Sequence, residues 1–103
     1  MPDPEKWGYE VGYIRNDEVQ YYTEKREENA RVEDGVLIIE ARKDGDTVPG
    51  ADRGYTSASL HTKDTATWTY GRIEVRAKLP QGVGTWPAIW TLGANINEVG
   101  WPA

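Results

Sequence analysis

Hydrophobic and polar positions alternate most regularly between Arg72 and Leu79. Ile73, Val75, Ala77 and Leu79 fall on one side of an extended chain, and Arg72, Glu74, Arg76 and Lys78 on the other. A period of two is that of a half-buried strand. Pro80 removes a ladder donor and Gly82 and Gly84 loosen the backbone, so the strand is predicted to stop at Leu79 and a second to start near Thr85, giving a hairpin. In that second strand Trp86, Ala88, Trp90 and Leu92 share a face. At about 3.3 Å per residue the two indoles stand about 13 Å apart along one line, a spacing that can line a groove.

The rest of the chain reads as short extended runs between turn signals. Trp7 to Val11 and Val19 to Thr23 are aromatic and β-branched and predict two strands joined by a loop. The charged run Glu24 to Asn29 has no apolar stripe and reads as a solvated loop. Ala30 to Glu33 and Val36 to Ala41 flank Asp34-Gly35, the strongest short-range hairpin signal. Lys43 to Gly54 is rich in turn formers and predicts a loop, Tyr55 to Thr62 alternates again, and the tail from Ala94 is polar. About seven short strands and no convincing helix predict an all-β chain, an antiparallel β-sandwich.

Composition changes this picture in one respect. Val, Ile and Leu number 18 of 103 residues and Phe is absent, so the aliphatic and Phe fraction lies below the roughly 20% at which a charged chain orders readily. Five Trp and six Tyr are therefore expected to carry much of the packing, and the same rings suit ligands with a flat apolar face and a polar rim, such as sugars. A net charge of −5 without a basic cluster argues against nucleic acid and anionic membrane as partners. Without Cys there are no disulfides or thiolate metal sites. No run reaches the length of a membrane span, and no apolar signal segment follows Met1. The start Met-Pro-Asp-Pro-Glu-Lys-Trp reads as an added Met before an interior segment of something longer.

Candidate chemistry is sparse. Ser57, Ser59, His61 and Asp64 invite a triad, but no Gly-x-Ser-x-Gly elbow presents either serine, and a structural His61 is the better reading. Gly82-Val-Gly84 has Pro87 where a dinucleotide fingerprint needs its third glycine. Asp44 and Asp46 open like a calcium loop, but Val48 stands at the third ligand position and no Glu closes it. Glu74 and Arg76 point toward the side assigned to Trp86 and Trp90, which describes a polar cleft floor and a solvated, ion-paired face equally well.

Tyr70-Gly71-Arg72-Ile73-Glu74-Val75-Arg76-Ala77-Lys78-Leu79-Pro80, then Gly84-Thr85-Trp86-Pro87-Ala88-Ile89-Trp90 and Trp101-Pro102, resembles the central signature of glycoside hydrolase family 16, in particular its laminarinase-like endo-β-1,3-glucanases. Asn16 to Thr23, Asp34 to Leu37 and Tyr55 to Ser57 match in the same order, so the resemblance spans nearly the whole chain. It implies that residues 1–103 are the N-terminal part of one concanavalin-like β-jelly-roll domain, whose concave sheet binds a β-glucan chain and whose reaction retains anomeric configuration. It further implies an extracellular or periplasmic setting.

Carried over by position, Asn16, Glu74 and Arg76 line the donor side of the cleft, and Trp86, Trp90 and Trp101 stack on or border glucose rings. Some members hold calcium on the convex side near residues matching Glu33 and the carbonyl of Gly35; no cofactor is required for the reaction. The family's catalytic stretch, Glu-x-Asp-x-x-Glu, follows the Trp-Pro pair, and no Glu-x-Asp occurs in this sequence, so no catalytic residue is assigned. The expected role is a fragment that supplies part of a glucan cleft. The alternative is a non-catalytic glucan-binding or structural half-sandwich, and a complementing C-terminal half or self-association is expected where unpaired edges remain.

Overall fold

The computed structural model describes residues 1–15 and 17–99. The chain divides into two compact units, Met1–Ala66 and Thr67–Ala103.

The strands of the first unit are β1 (Gly8–Tyr9), β2 (Gln20–Tyr22), β3 (Ala30–Glu33), β4 (Val36–Ile39), β5 (Tyr55–Ser57) and β6 (Leu60–His61). They pair two by two: β1 with β6 antiparallel, β3 with β4 antiparallel, and β2 with β5 parallel. The β3–β4 hairpin turns at Asp34 and Gly35, whose φ values of 50° and 76° meet the requirement of a two-residue type I′ turn for positive φ at both central positions. Its register sets Glu33 opposite Val36 and Ala30 opposite Ile39. The parallel β2–β5 pair departs from the all-antiparallel expectation. The intervening stretch, which holds the whole hairpin and a 3₁₀ turn at Gly45–Thr47, is long enough for the crossover a parallel pair requires. Tyr22 also forms an antiparallel bridge with Gly12, each backbone N–H donating to the other's carbonyl at 2.9 Å.

The centre of this unit is polar. Three alanines, Ala30, Ala51 and Ala58, make up its buried hydrophobic side chains, whereas Asn29 and Thr56 are 0% exposed. Asn29 Oδ1 accepts from Thr23 Oγ1 at 2.8 Å and Arg26 Nη1 at 2.7 Å, and its Nδ2 donates to the Glu40 carbonyl at 3.0 Å and Thr56 Oγ1 at 2.9 Å. Thr56 Oγ1 in turn donates to Asp44 Oδ1 at 2.6 Å, and Arg26 Nη2 donates to Asp44 Oδ2 at 2.7 Å. Each polar group that loses water at this site thereby gains a partner, the condition for burying it cheaply. The run 24–29 is a turn, as expected, but not a purely solvated one: Asn29 and Arg26 face inward. The tryptophans do not carry the packing predicted for them, since Trp7, Trp68, Trp86 and Trp90 are exposed. The tyrosines do more: Tyr13 and Tyr21 meet edge to face, ring centroids 5.3 Å apart.

In the second unit residues 72–79 and 85–92 enter no ladder among the described residues, so the predicted hairpin is absent. Alternation shows that a chain can cover a surface with one face; the ladder that makes it a strand requires a neighbour, and that neighbour is not a local feature. Gly82 and Gly84 do form the expected connection, with Thr85 Oγ1 donating to the Gly82 carbonyl at 2.9 Å. A four-residue helix, α1 (Ile96–Val99), interrupts the polar tail where a loop was expected.

Candidate functional site

The residues singled out from the sequence fall in both units. Asn16 and Trp101 lie outside the described residues. In the second unit Glu74, Arg76, Trp86 and Trp90 are all exposed, Trp86 at 90%. Glu74 pairs with Arg72 rather than forming the charged pair expected with Arg76. In the absence of a strand over 85–92, the structure does not align Trp86 and Trp90 along one ladder face.

Glu10, Arg15 and Ser59 of the first unit form a built polar cluster. Arg15 Nη2 donates to Glu10 Oε2 at 2.5 Å and Ser59 Oγ donates to Glu10 Oε1 at 2.6 Å. The β1–β6 pairing brings these together, extended by the Glu10 N–H donating to the Ser59 carbonyl at 3.0 Å. Burial raises the Glu10 pKa, but the hydrogen bonds from Arg15 and Ser59 and attraction to Arg15 outweigh it and hold the carboxyl below its ordinary value. Gln20 Nε2 donates to Glu18 Oε2 at 2.5 Å and to the Tyr22 hydroxyl at 3.1 Å. Burial pushes the Tyr22 phenol above its ordinary pKa, so it stays a neutral donor and acceptor.

Arg53 Nη1 donates to the Glu18 carbonyl at 2.7 Å, and its guanidinium lies 4.4 Å from the Tyr13 ring centroid. Tyr13, Ile14, Arg15, Asp17, Glu18 and Arg53 line a hollow of about 250 Å³. Sequence reasoning missed Glu10, Glu18, Ser59 and Arg53. Their association depends on pairing across about 50 residues, for which the local sequence carries no signal. The hollow is rich in directional hydrogen-bonding groups and carries one aromatic ring, a combination that holds hydroxylated ligands rather than apolar ones.

The triad reading is overturned by these bonds. Ser59 serves Glu10, and His61 Nδ1 accepts the Lys63 backbone N–H at 3.2 Å. Nor are the Asp44 oxygens open to a calcium ion: Arg26, Thr56 and Arg42 occupy them. Glu33 Oε1 accepts from Arg31 Nε at 2.8 Å, and among the described residues no group of three or more His, Cys, Asp or Glu could hold a metal ion. Glu33 closes β3 and Gly35 sits in the β3–β4 turn, so the two donors implied by the resemblance lie in one hairpin.

The short paired strands and turns of the first unit are those of an all-β fold, and similarity to known proteins identifies the family. The profile of Glycosyl hydrolases family 16 matches residues 17–101, and the chain belongs to that family. A β-glucanase from Rhodothermus marinus is 61% identical over 94 residues, which cover 89% of this chain and 32% of that protein. The X-ray structure of the laminarinase from Rhodothermus marinus superposes with a TM-score of 0.81 at 58% identity, covering 91% of this chain and 37% of that one. LamA from Z. galactanivorans, a serine variant in complex with laminaritriose and laminaritetraose, gives a TM-score of 0.81 at 51% identity, covering 99% of this chain and 46% of that one. The chain thus spans between a third and a half of the length of these relatives. Its fold class is the all-β jelly-roll sandwich, seen here as small two-stranded sheets.

Proposed function

We propose that this chain supplies part of the β-glucan-binding cleft of a laminarinase-like, retaining endo-β-1,3-glucanase, and that its own 103 residues bind glucan without cleaving it. The observation that carries the reading is 51% identity over 99% of the chain with LamA, whose structure holds β-glucan oligosaccharides. The exposed indoles of Trp86 and Trp90 offer stacking faces, Arg76 and Glu74 offer hydrogen bonds to hydroxyls, and Asn16 and Trp101 extend the set. A polysaccharide substrate does not cross a membrane, so the reading carries an extracellular or periplasmic setting. Titration with laminarin while following Trp fluorescence tests it. A weak, saturable change is expected, reduced in Trp86→Ala and further in the Trp86→Ala, Trp90→Ala double variant. An unchanged spectrum for the folded chain, or an equal response from the double variant, overturns it.

A second reading is a glucan-binding module without turnover, in keeping with the exposed indoles of Trp86 and Trp90 as binding faces. Supplying the remaining part of the Rhodothermus marinus β-glucanase separates the two. Hydrolysis that appears on mixing supports the split cleft, and glucan binding with persistent inactivity supports the module.

A further inference from the structure

Two aspartates of the chain, Asp34 and Asp44, precede a glycine. Glycine has no Cβ to shield its amide nitrogen or to restrict its backbone, so in an Asp-Gly pair that nitrogen can reach the aspartate's carboxyl carbon and close a five-membered ring. The structure sets the two pairs in opposite surroundings. Both Asp44 oxygens are bonded: Arg26 Nη2 donates at 2.7 Å, Thr56 Oγ1 at 2.6 Å and Arg42 Nε at 3.3 Å. The Gly45 N–H donates to the Gly54 carbonyl at 3.0 Å, and Gly45 is buried, a Cβ there falling 2.4 Å from the Ala51 carbonyl oxygen. Neither group can swing toward the other without breaking those bonds. Asp34 and Gly35, by contrast, are both exposed at the tip of the β3–β4 hairpin. Among the described residues no hydrogen bond or ion pair holds the Asp34 carboxylate, and the Gly35 N–H donates to no partner. A Cβ at Gly35 would meet nothing within 4 Å, so rotation about this turn displaces no packed group.

We propose that Asp34 is a site of covalent self-modification, at which the hairpin turn converts to an isoaspartate while the Asp44-Gly45 pair is protected. The Gly35 amide nitrogen bonds to Asp34 Cγ, and the carboxyl hydroxyl leaves with the nitrogen's proton as water, giving a cyclic imide. Water then adds at one of the two ring carbonyls. Addition at the side-chain carbonyl breaks its bond to nitrogen and restores aspartate. Addition at the main-chain carbonyl breaks the original peptide bond instead, and the chain then runs through Cβ and Cγ as isoaspartate. One water is lost and one regained, so no oxidant, reductant or further reactant is needed. The isoaspartate lengthens the backbone of a two-residue turn by one methylene, and the type I′ geometry that sets Glu33 opposite Val36 is lost. The base of the hairpin is held separately: the Glu40 N–H donates to the Asn29 carbonyl at 2.8 Å, and Asn29 Nδ2 donates to the Glu40 carbonyl at 3.0 Å. The modification therefore loosens the tip and leaves the polar centre in place.

The test ages the full 103-residue chain at neutral pH beside a sample unfolded in urea, digests both, and locates isoaspartate by peptide mass spectrometry and by methylation with an isoaspartyl methyltransferase. In urea the two Asp-Gly pairs are expected to convert at similar rates. In the native sample Asp34 is expected to convert and Asp44 to do so about a hundredfold more slowly, because its carboxylate must first leave its charge-assisted partners. Asp34→Asn keeps a residue that the turn favours and makes ammonia the leaving group in place of water, so conversion at this position should quicken. Hydrogen exchange on the aged chain is expected to speed up at Val36 and to stay unchanged at Glu40. No conversion at Asp34, or conversion at Asp44 as fast as at Asp34 in the native sample, overturns the proposal. So does Asp34→Asn that converts no faster than the unaltered chain, and exchange in the converted chain that is unchanged at Val36 or raised equally at Glu40 overturns the confinement of the change to the tip.

Discussion

At the scale of single residues, a buried amide does much of the work that aliphatic side chains do in larger cores. Asn29 links Thr23, Arg26, Thr56 and the Glu40 carbonyl with four bonds, and Thr23 and Thr56 are themselves buried. Asn29→Ala should therefore lower stability by about 1–3 kcal/mol, the cost of leaving buried polar groups unpaired, read as a lower urea midpoint. Asp44, bonded by Arg26 and by Thr56 and attracted by Arg42, has its carboxyl lowered from 3.8 to about 2. A depressed folded pKa stabilises above the unfolded value and ceases to do so as pH falls through the folded one. The urea midpoint should hold above about pH 4 and fall between pH 4 and 2, a fall that Asp44→Asn makes shallower. None of this cluster was legible beforehand. Thr23, Arg26, Asn29, Asp44 and Thr56 are scattered over more than thirty positions, and a run such as Glu24 to Asn29 gives the same pattern whether it solvates a loop or plugs a core.

At the scale of elements, what could be read from the chain was what is fixed locally. Asp34-Gly35 specifies its turn by two residues' tolerance of positive φ, and the hairpin formed where expected. A Cβ added at Gly35 would meet nothing within 4 Å, so Gly35→Ala should cost about 1 kcal/mol through backbone strain alone. Gly45 is the contrasting case. A Cβ there would lie 2.4 Å from the Ala51 carbonyl oxygen, and Gly45→Ala should destabilise more, by about 1–3 kcal/mol. Chemical denaturation of the two variants side by side checks the order; equal losses would show that the 3₁₀ turn yields freely. Pairing between distant segments was not legible. Nothing in Gln20–Tyr22 announces a parallel partner at Tyr55–Ser57, and the alternation of residues 72–79 announces a face without naming what pairs beside it. The candidate site follows the same division: its motifs were readable, but the Glu10, Arg15 and Ser59 association waits on β1 meeting β6.

At the scale of the whole molecule, the consequence lies in what the 103 residues can do as chemistry. A retaining glycosidase needs one carboxylate as nucleophile and another as acid and then base, about 5–5.5 Å apart across the scissile bond. The carboxylates that the structure pairs are committed elsewhere: Glu10 to Arg15 and Ser59, Asp44 to Arg26 and Thr56, Glu74 to Arg72. Neither the guanidinium of Arg76 nor the amide of Asn16 forms or breaks a glycosyl-enzyme bond. Glu98, exposed on the four-residue helix α1, is the one carboxylate between Ala94 and Val99. A glycosidase that lacks its nucleophile has no covalent route, and one that lacks a positioned acid loses the roughly hundred- to ten-thousandfold contribution of leaving-group protonation. Reducing-sugar release from laminarin by the purified chain should therefore match buffer at every pH between 4 and 8. Cleavage above buffer that disappears in Glu98→Gln would assign the reaction to this chain and to that residue, and would overturn the division between binding and catalysis on which the proposed function rests.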